Sequence, residues 1–395
     1  MTDMRANSAK ATAPEGRGET DASSSERQAT ASTKRAQTMQ AVICHGPKDY
    51  RLETIAVPTR GAGEVLVRVE AVGICASDLK CYHGAAKFWG DENRPAWAET
   101  EAVPGHEITG RVVELDDEAR EHWGVEVGDR VVVEQIVPCW NCRYCDTGNY
   151  HMCARHDMYG FKRANPGGME EYLVLSTDSL VHRISKDIPP AHAAFAEPLS
   201  CALHAVERAR ITFADVVVVA GCGPIGLGII AGAAAKFPAQ IIALDIDPRK
   251  LELAVKTGAT LAINVAEEDG IAKVKELTGG YGADVYFEAT GHPSAVLQGL
   301  NMLRKLGRFV EYSVFKDDVS VDWSIISDDK ELDVLGAHLG PNCWPAAIRL
   351  IESGRLPMDE ICTHQLPLAD FQEGLDLVAS GAESIKVSLI PGGAP

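Results

Sequence analysis

The sequence predicts an α/β protein of two domains, one built on a doubly wound parallel sheet and the other mostly antiparallel β. Three observations predict it. From about Ala194, strand-like and helix-like segments alternate, as crossover connections between parallel strands require. At Val216 a run of four valines passes into a glycine-rich turn and then into an apolar helical stretch. From Gln40 to about Val137, short β-branched runs are punctuated by Gly, Pro and Asp.

The 395 residues are ample for two domains, and 46% hydrophobic with 24% charged residues is an ordinary globular composition. A net charge of -18 argues against a nucleic-acid partner, which needs surplus Lys and Arg, and against an anionic membrane surface. No basic-then-apolar leader precedes the eleven cysteines, so a reducing cytoplasm is expected, with clustered cysteines as metal ligands rather than disulfides.

Residues 1–38 are rich in Ala, Ser and Thr and nearly devoid of large apolar groups, so a disordered tail is expected there. Strands are expected at Gln40–His45, Glu64–Gly73 and Arg130–Val133, within a β domain spanning 39–195. A second domain over 196–332 carries strands at Val216–Ala220, Ile241–Asp245, Leu261–Asn264, Asp284–Glu288 and Gly307–Tyr312. Residues 333–395 read as short strands with one or two helices returning to the first domain. The uncharged run Val216–Ala235 is long enough to span a bilayer, but its glycines, its proline and its β-branched start favour a buried strand, turn and helix.

Cys139, Cys142, Cys145 and Cys153 offer four thiols within fifteen residues. Zinc takes four thiolates tetrahedrally, and C-x2-C spacings let one loop wrap an ion; an iron–sulfur cluster fits the same spacing. Four protein ligands leave no vacant position, so this metal would be structural.

Three separated pieces supply a second donor set: Cys75, then His106 with Glu107, then Glu197. A catalytic zinc wants three such ligands and keeps a fourth position for substrate oxygen. Ser77 can accept and pass on a substrate proton, and Asp78 can orient His106. Tyr82 or His83 could extend that relay.

Gly221-x-Gly223-x-x-Gly226, with Pro224 and Ile225 between, follows a strand and opens a helix, the context of a Rossmann dinucleotide site. Asp245 ends the next strand, where a carboxylate holds the ribose hydroxyls of NAD and repels the extra phosphate of NADP; Arg249 and Lys250 follow.

Taken in this order, the pieces resemble the zinc-dependent medium-chain dehydrogenase family, in its sorbitol-dehydrogenase-like branch, over about Met39 to Ile390. The resemblance implies a GroES-like catalytic domain, two zinc ions per chain and NAD. It assigns the four cysteines to structural zinc. It carries Cys75 and His106 over as catalytic-zinc ligands, with Glu107 and Glu197 alternating as the third. It also places Thr290 near the nicotinamide ribose, Ser313 and Val314 at the carboxamide, Lys386 at the pyrophosphate, and the chain in a homodimer or homotetramer. The loop from Lys80 to Thr100 sets Phe88, Trp89 and Trp97 beside Lys87, Asp91, Glu92, Asn93 and Arg94, which suits a short polyol. That loop and the segment Ile325–Gly340 resemble erythritol/L-threitol-oxidising members, implying oxidation of a secondary hydroxyl to erythrulose. L-threonine, 2,3-butanediol and sorbitol stay as alternative substrates, and a non-catalytic zinc- and NAD-binding protein as the alternative of another class.

Overall fold

In a computed structural model, the described residues are 37–392 except 317 and 382. Of the expected tail, all but Gln37 and Thr38 lies outside them.

The parallel sheet has six strands in the order Leu261–Asn264, Gln240–Asp245, Val216–Ala220, Ala283–Glu288, Leu303–Glu311, Asp333–Gly336. Its strand Val216–Ala220 is four valines and an alanine, buried on both faces because helices cover the sheet on either side. Order reverses beside Val216–Ala220, and the crevice at such a reversal, past the carboxyl ends of the strands, is where ligands bind in this architecture. The uncharged run from Val216 is accounted for by this strand and the following helix Pro224–Ala234, most of which is buried. No helix among the described residues is long and apolar enough to cross a membrane.

The second sheet contains His364–Pro367, Val387–Ile390, Val65–Ile74, Glu107–Glu114, Arg130–Val133 and Val181–Ile184, with Tyr172–Leu175 also pairing to Val65–Ile74. All its pairings are antiparallel except that of the first two strands. Val387–Ile390 therefore belongs to the β unit. The return comes later than Asp333, however. Asp333–Gly336 pairs in parallel with Leu303–Glu311, and the following helix Trp344–Glu352 buries Trp344, Ala347 and Ile348 in the core beneath the parallel sheet. Strand pairing, which a short run of sequence does not reveal, decides where that segment belongs.

Candidate active site

The register between two strands assembles the open donor set. Gly73 lies opposite Glu107, so Cys75, just past the strand end, arrives beside His106. Donor atoms of Cys75, His106 and Glu107 all lie within 4.8 Å of one another. Cys75 also caps the helix Ala76–Tyr82, which puts Asp78 in the first turn. One Asp78 oxygen accepts from the Cys75 amide at 2.9 Å and the other from His106 Nδ1 at 3.1 Å. With Nδ1 engaged, Nε2 is the ring nitrogen left to bind a ligand, and Ser77 Oγ lies 3.5 Å from it. Burial would lower the His106 pKa, but the buried Asp78 carboxylate outweighs it and holds the ring well above its ordinary value.

Glu197 stands in the first turn of the helix Ala196–Ala209 and is buried, yet it lies outside that donor cluster. Its Oε1 accepts from Gln135 Nε2 and, at 3.3 Å, from the Cys201 thiol one turn further on. Burial, with the Glu107 charge beside it, pushes its carboxyl up to about 7.

Lys386 does not reach the cofactor crevice. It is buried, its Nζ donates to the Ile74 carbonyl at 2.8 Å, and it forms an ion pair with Glu107. The reason is pairing again, because Val387 sits opposite Ile74 and so delivers its neighbour to Glu107. Gly73 makes room for the pair: a Cβ there would lie 1.9 Å from Glu107 Oε2 and 2.8 Å from Lys386 Cε.

The ligand atoms of Cys139, Cys142, Cys145 and Cys153 likewise lie within 4.8 Å of one another, with 3.6 Å between the sulfurs of Cys142 and Cys145. Four sulfurs around one zinc at about 2.3 Å would sit about 3.8 Å apart, so the set fits the ion. The Ala154 amide donates to Cys142, lowering that thiol to about 6, and the Cys139 amide donates to Cys153. Each favours a thiolate. Every cysteine is a free thiol.

Gly223 caps the helix Pro224–Ala234, with Pro224 in its first turn. A Cβ on Gly226 would lie 1.7 Å from the Gly221 carbonyl, so only glycine closes this turn, while the space over Gly223 is empty and free for a pyrophosphate. Asp245 takes the Cys222 amide on one oxygen and the Ile246 and Asp247 amides on the other. Arg249 is ion-paired to Asp247 at 2.9 Å. Thr290 and Gly291 bond to Glu288, the Ser313 amide to Glu311, and Lys80 Nζ reaches the Val314 carbonyl.

In the loop from Lys80, Phe88 is buried with Phe161 and Leu339, and Trp89 and Trp97 pack against them. The polar groups Asp91 to Arg94 are exposed, and Asp91 pairs with Arg94. Tyr82 donates to Gln372, and the structure does not join it or His83 to Ser77. Sequence reasoning missed Gln135, Cys201 and Phe161, whose ring lies 5.4 Å from that of His106. None of them sits in a motif.

The alcohol dehydrogenase GroES-like domain matches residues 61–186 and the zinc-binding dehydrogenase domain residues 224–353. The chain is 74% identical to erythritol/L-threitol dehydrogenase of Mycolicibacterium smegmatis, covering 90% of this chain and 98% of that one. It is 35% identical to L-threonine 3-dehydrogenase of Bacillus velezensis over 86% and 95% of the two chains. The structure of 2R,3R-butanediol dehydrogenase from Bacillus subtilis superposes with a TM-score of 0.78 at 30% identity, covering 89% and 99%.

Proposed function

Because the chain belongs to the zinc-dependent medium-chain dehydrogenases and is a zinc- and NAD-linked enzyme, we propose that it oxidises a secondary hydroxyl of erythritol or L-threitol to give erythrulose. The observation that carries this reading is the donor set of Cys75, His106 and Glu107, oriented by Asp78 and adjoined by Ser77.

Cys75, His106 and one glutamate, Glu107 or Glu197, would hold the catalytic zinc, and Cys139, Cys142, Cys145 and Cys153 the structural one. When bound, the catalytic ion polarises the substrate hydroxyl and lowers its pKa. Ser77 takes the hydroxyl proton and passes it outward. Asp78 keeps His106 in one tautomer throughout. NAD, when bound, would supply the acceptor for the hydride that leaves the substrate C–H bond, and the carbon would become a ketone. Gly221, Gly223 and Gly226 with the helix behind them hold the pyrophosphate, and Asp245 the adenosine ribose.

A cytoplasmic homodimer or homotetramer fits the free thiols and the exposed edge strand Asp333–Gly336, where Val334 is 48% exposed. Light scattering on the purified protein tests the assembly.

The reaction is tested by kcat/KM, read at the NADH absorbance, for erythritol, L-threitol, sorbitol, L-threonine and 2,3-butanediol. A tetritol at the top supports the reading, and threonine or butanediol at the top overturns it. Metal analysis should find about two zinc per chain.

A further inference from the structure

A chain of ring contacts leads away from the donor set. Phe161 lies 5.4 Å from His106, Trp97 5.1 Å from Phe161, His156 5.8 Å from Trp97, and His338 stacks on His156 at 5.2 Å. Lys87 is close enough to act electrostatically on both histidines. These three polar groups come from three distant stretches of chain: the loop after Lys80, the turn after the four-cysteine lobe, and the segment following the edge strand.

His156 and His338 are half-buried and Lys87 is exposed, and neither the imidazoles nor the ammonium is taken up by a hydrogen bond among the described residues. Their ring nitrogens and the ammonium are thus open to a hydrogen-bonding group from outside the chain. Trp97, which packs on His156, is backed by the buried rings of Phe88 and Phe161. Burial first, then the neighbouring His156, pushes His338 down to about 3, which leaves its imidazole neutral near pH 7. A neutral imidazole has one donor and one acceptor, the same complement as a hydroxyl group. An anion would instead draw protons onto the rings.

We propose that His156, His338 and Lys87 form a specificity subsite that hydrogen-bonds the hydroxyls of a polyol remote from the carbon being oxidised. This rests on the polyol reading above. A site built to hydrogen-bond a hydroxyl rejects the analogue that lacks it, because its own polar groups are then left unpaired.

2,3-Butanediol keeps a secondary hydroxyl and its neighbour but has no terminal hydroxyls, so it isolates the subsite. His338→Phe, His156→Phe and Lys87→Met would each be compared with the parent enzyme, loaded with zinc and NAD. Both kcat/KM and calorimetric Kd would be measured for L-threitol, erythritol and 2,3-butanediol. The expected result is about a tenfold or greater loss of tetritol affinity and kcat/KM, with butanediol changed less than about twofold. Equal losses on both substrates, or no loss on either, would overturn the subsite. If the parent binds tetritols through His338 but does not oxidise them, the reaction assigned above fails and the subsite stands. If the parent oxidises them with no dependence on His338, His156 or Lys87, the subsite fails and the reaction stands. His338→Gln, which restores a donor and an acceptor, should recover part of the loss.

Discussion

Lys386 and Glu107 form a buried ion pair whose partners are 279 residues apart in sequence, directly beside the Cys75–His106 donor set. Removing one member of such a pair leaves the other charged and unsolvated. Lys386→Met is expected to cost about 3–5 kcal/mol of stability in urea unfolding, and adding Glu107→Gln should return much of it. Equal stability of parent and Lys386→Met would contradict the pairing.

Asp78 fixes the His106 ring through Nδ1. Asp78→Asn keeps the shape but weakens that hold, so affinity for zinc at the open site should fall about 10–100-fold, read by chelator competition, while the four-cysteine site keeps its ion. Loss of both ions together would show general unfolding instead.

Gly226→Ala would drive a methyl into the Gly221 carbonyl, 1.7 Å from the built Cβ position. The turn must open, and KM for NAD should rise by about tenfold or more while both zinc sites stay filled. An unchanged KM would remove the turn from the cofactor site.

Asp245 presents its charge at the end of its strand, anchored by three backbone amides. Asp245→Ser removes the repulsion toward a 2′-phosphate. The ratio of kcat/KM for NAD over NADP should fall by about tenfold or more. Arg249 is already held by Asp247, so a complete reversal of preference is not expected.

Acid should destabilise the fold through its histidines. Burial comes first and neighbouring imidazoles second in pushing His338 down to about 3 and His204 to about 4, from an ordinary 6.5. Between those values the unfolded chain binds protons that the folded chain does not, so stability falls as pH drops from 6.5 towards 4. The paired variant His338→Phe/His204→Leu should show a shallower decline in unfolding midpoint over that window. An identical slope would mean that other groups govern it.

What the sequence disclosed was local. The four cysteines fall within fifteen residues, and the glycine turn carries its own strand and helix, so short-range spacing revealed both. Cys75 and His106 were legible only through the family resemblance of the pieces taken in order, since each short stretch is weak alone. The partners of the two glutamates were not. Gln135 meets Glu197 across 62 residues and Lys386 meets Glu107 across 279, and neither has a motif around it. Lys386 shows the error most plainly. Its residue type suits a phosphate, but sheet register placed it elsewhere. The strand Asp333–Gly336 went astray for the same reason, since sequence pattern cannot say which sheet edge a short strand will join.

That late strand has a consequence for how the enzyme matures. Val387–Ile390 closes against Val72–Ile74 only after the entire parallel-sheet segment between them has been synthesised. Until then Glu107 has no cation beside it. The four-cysteine lobe, complete by Cys153, can take its ion early on the nascent chain. The pocket of the reactive centre is therefore sealed last, when Lys386 reaches Glu107.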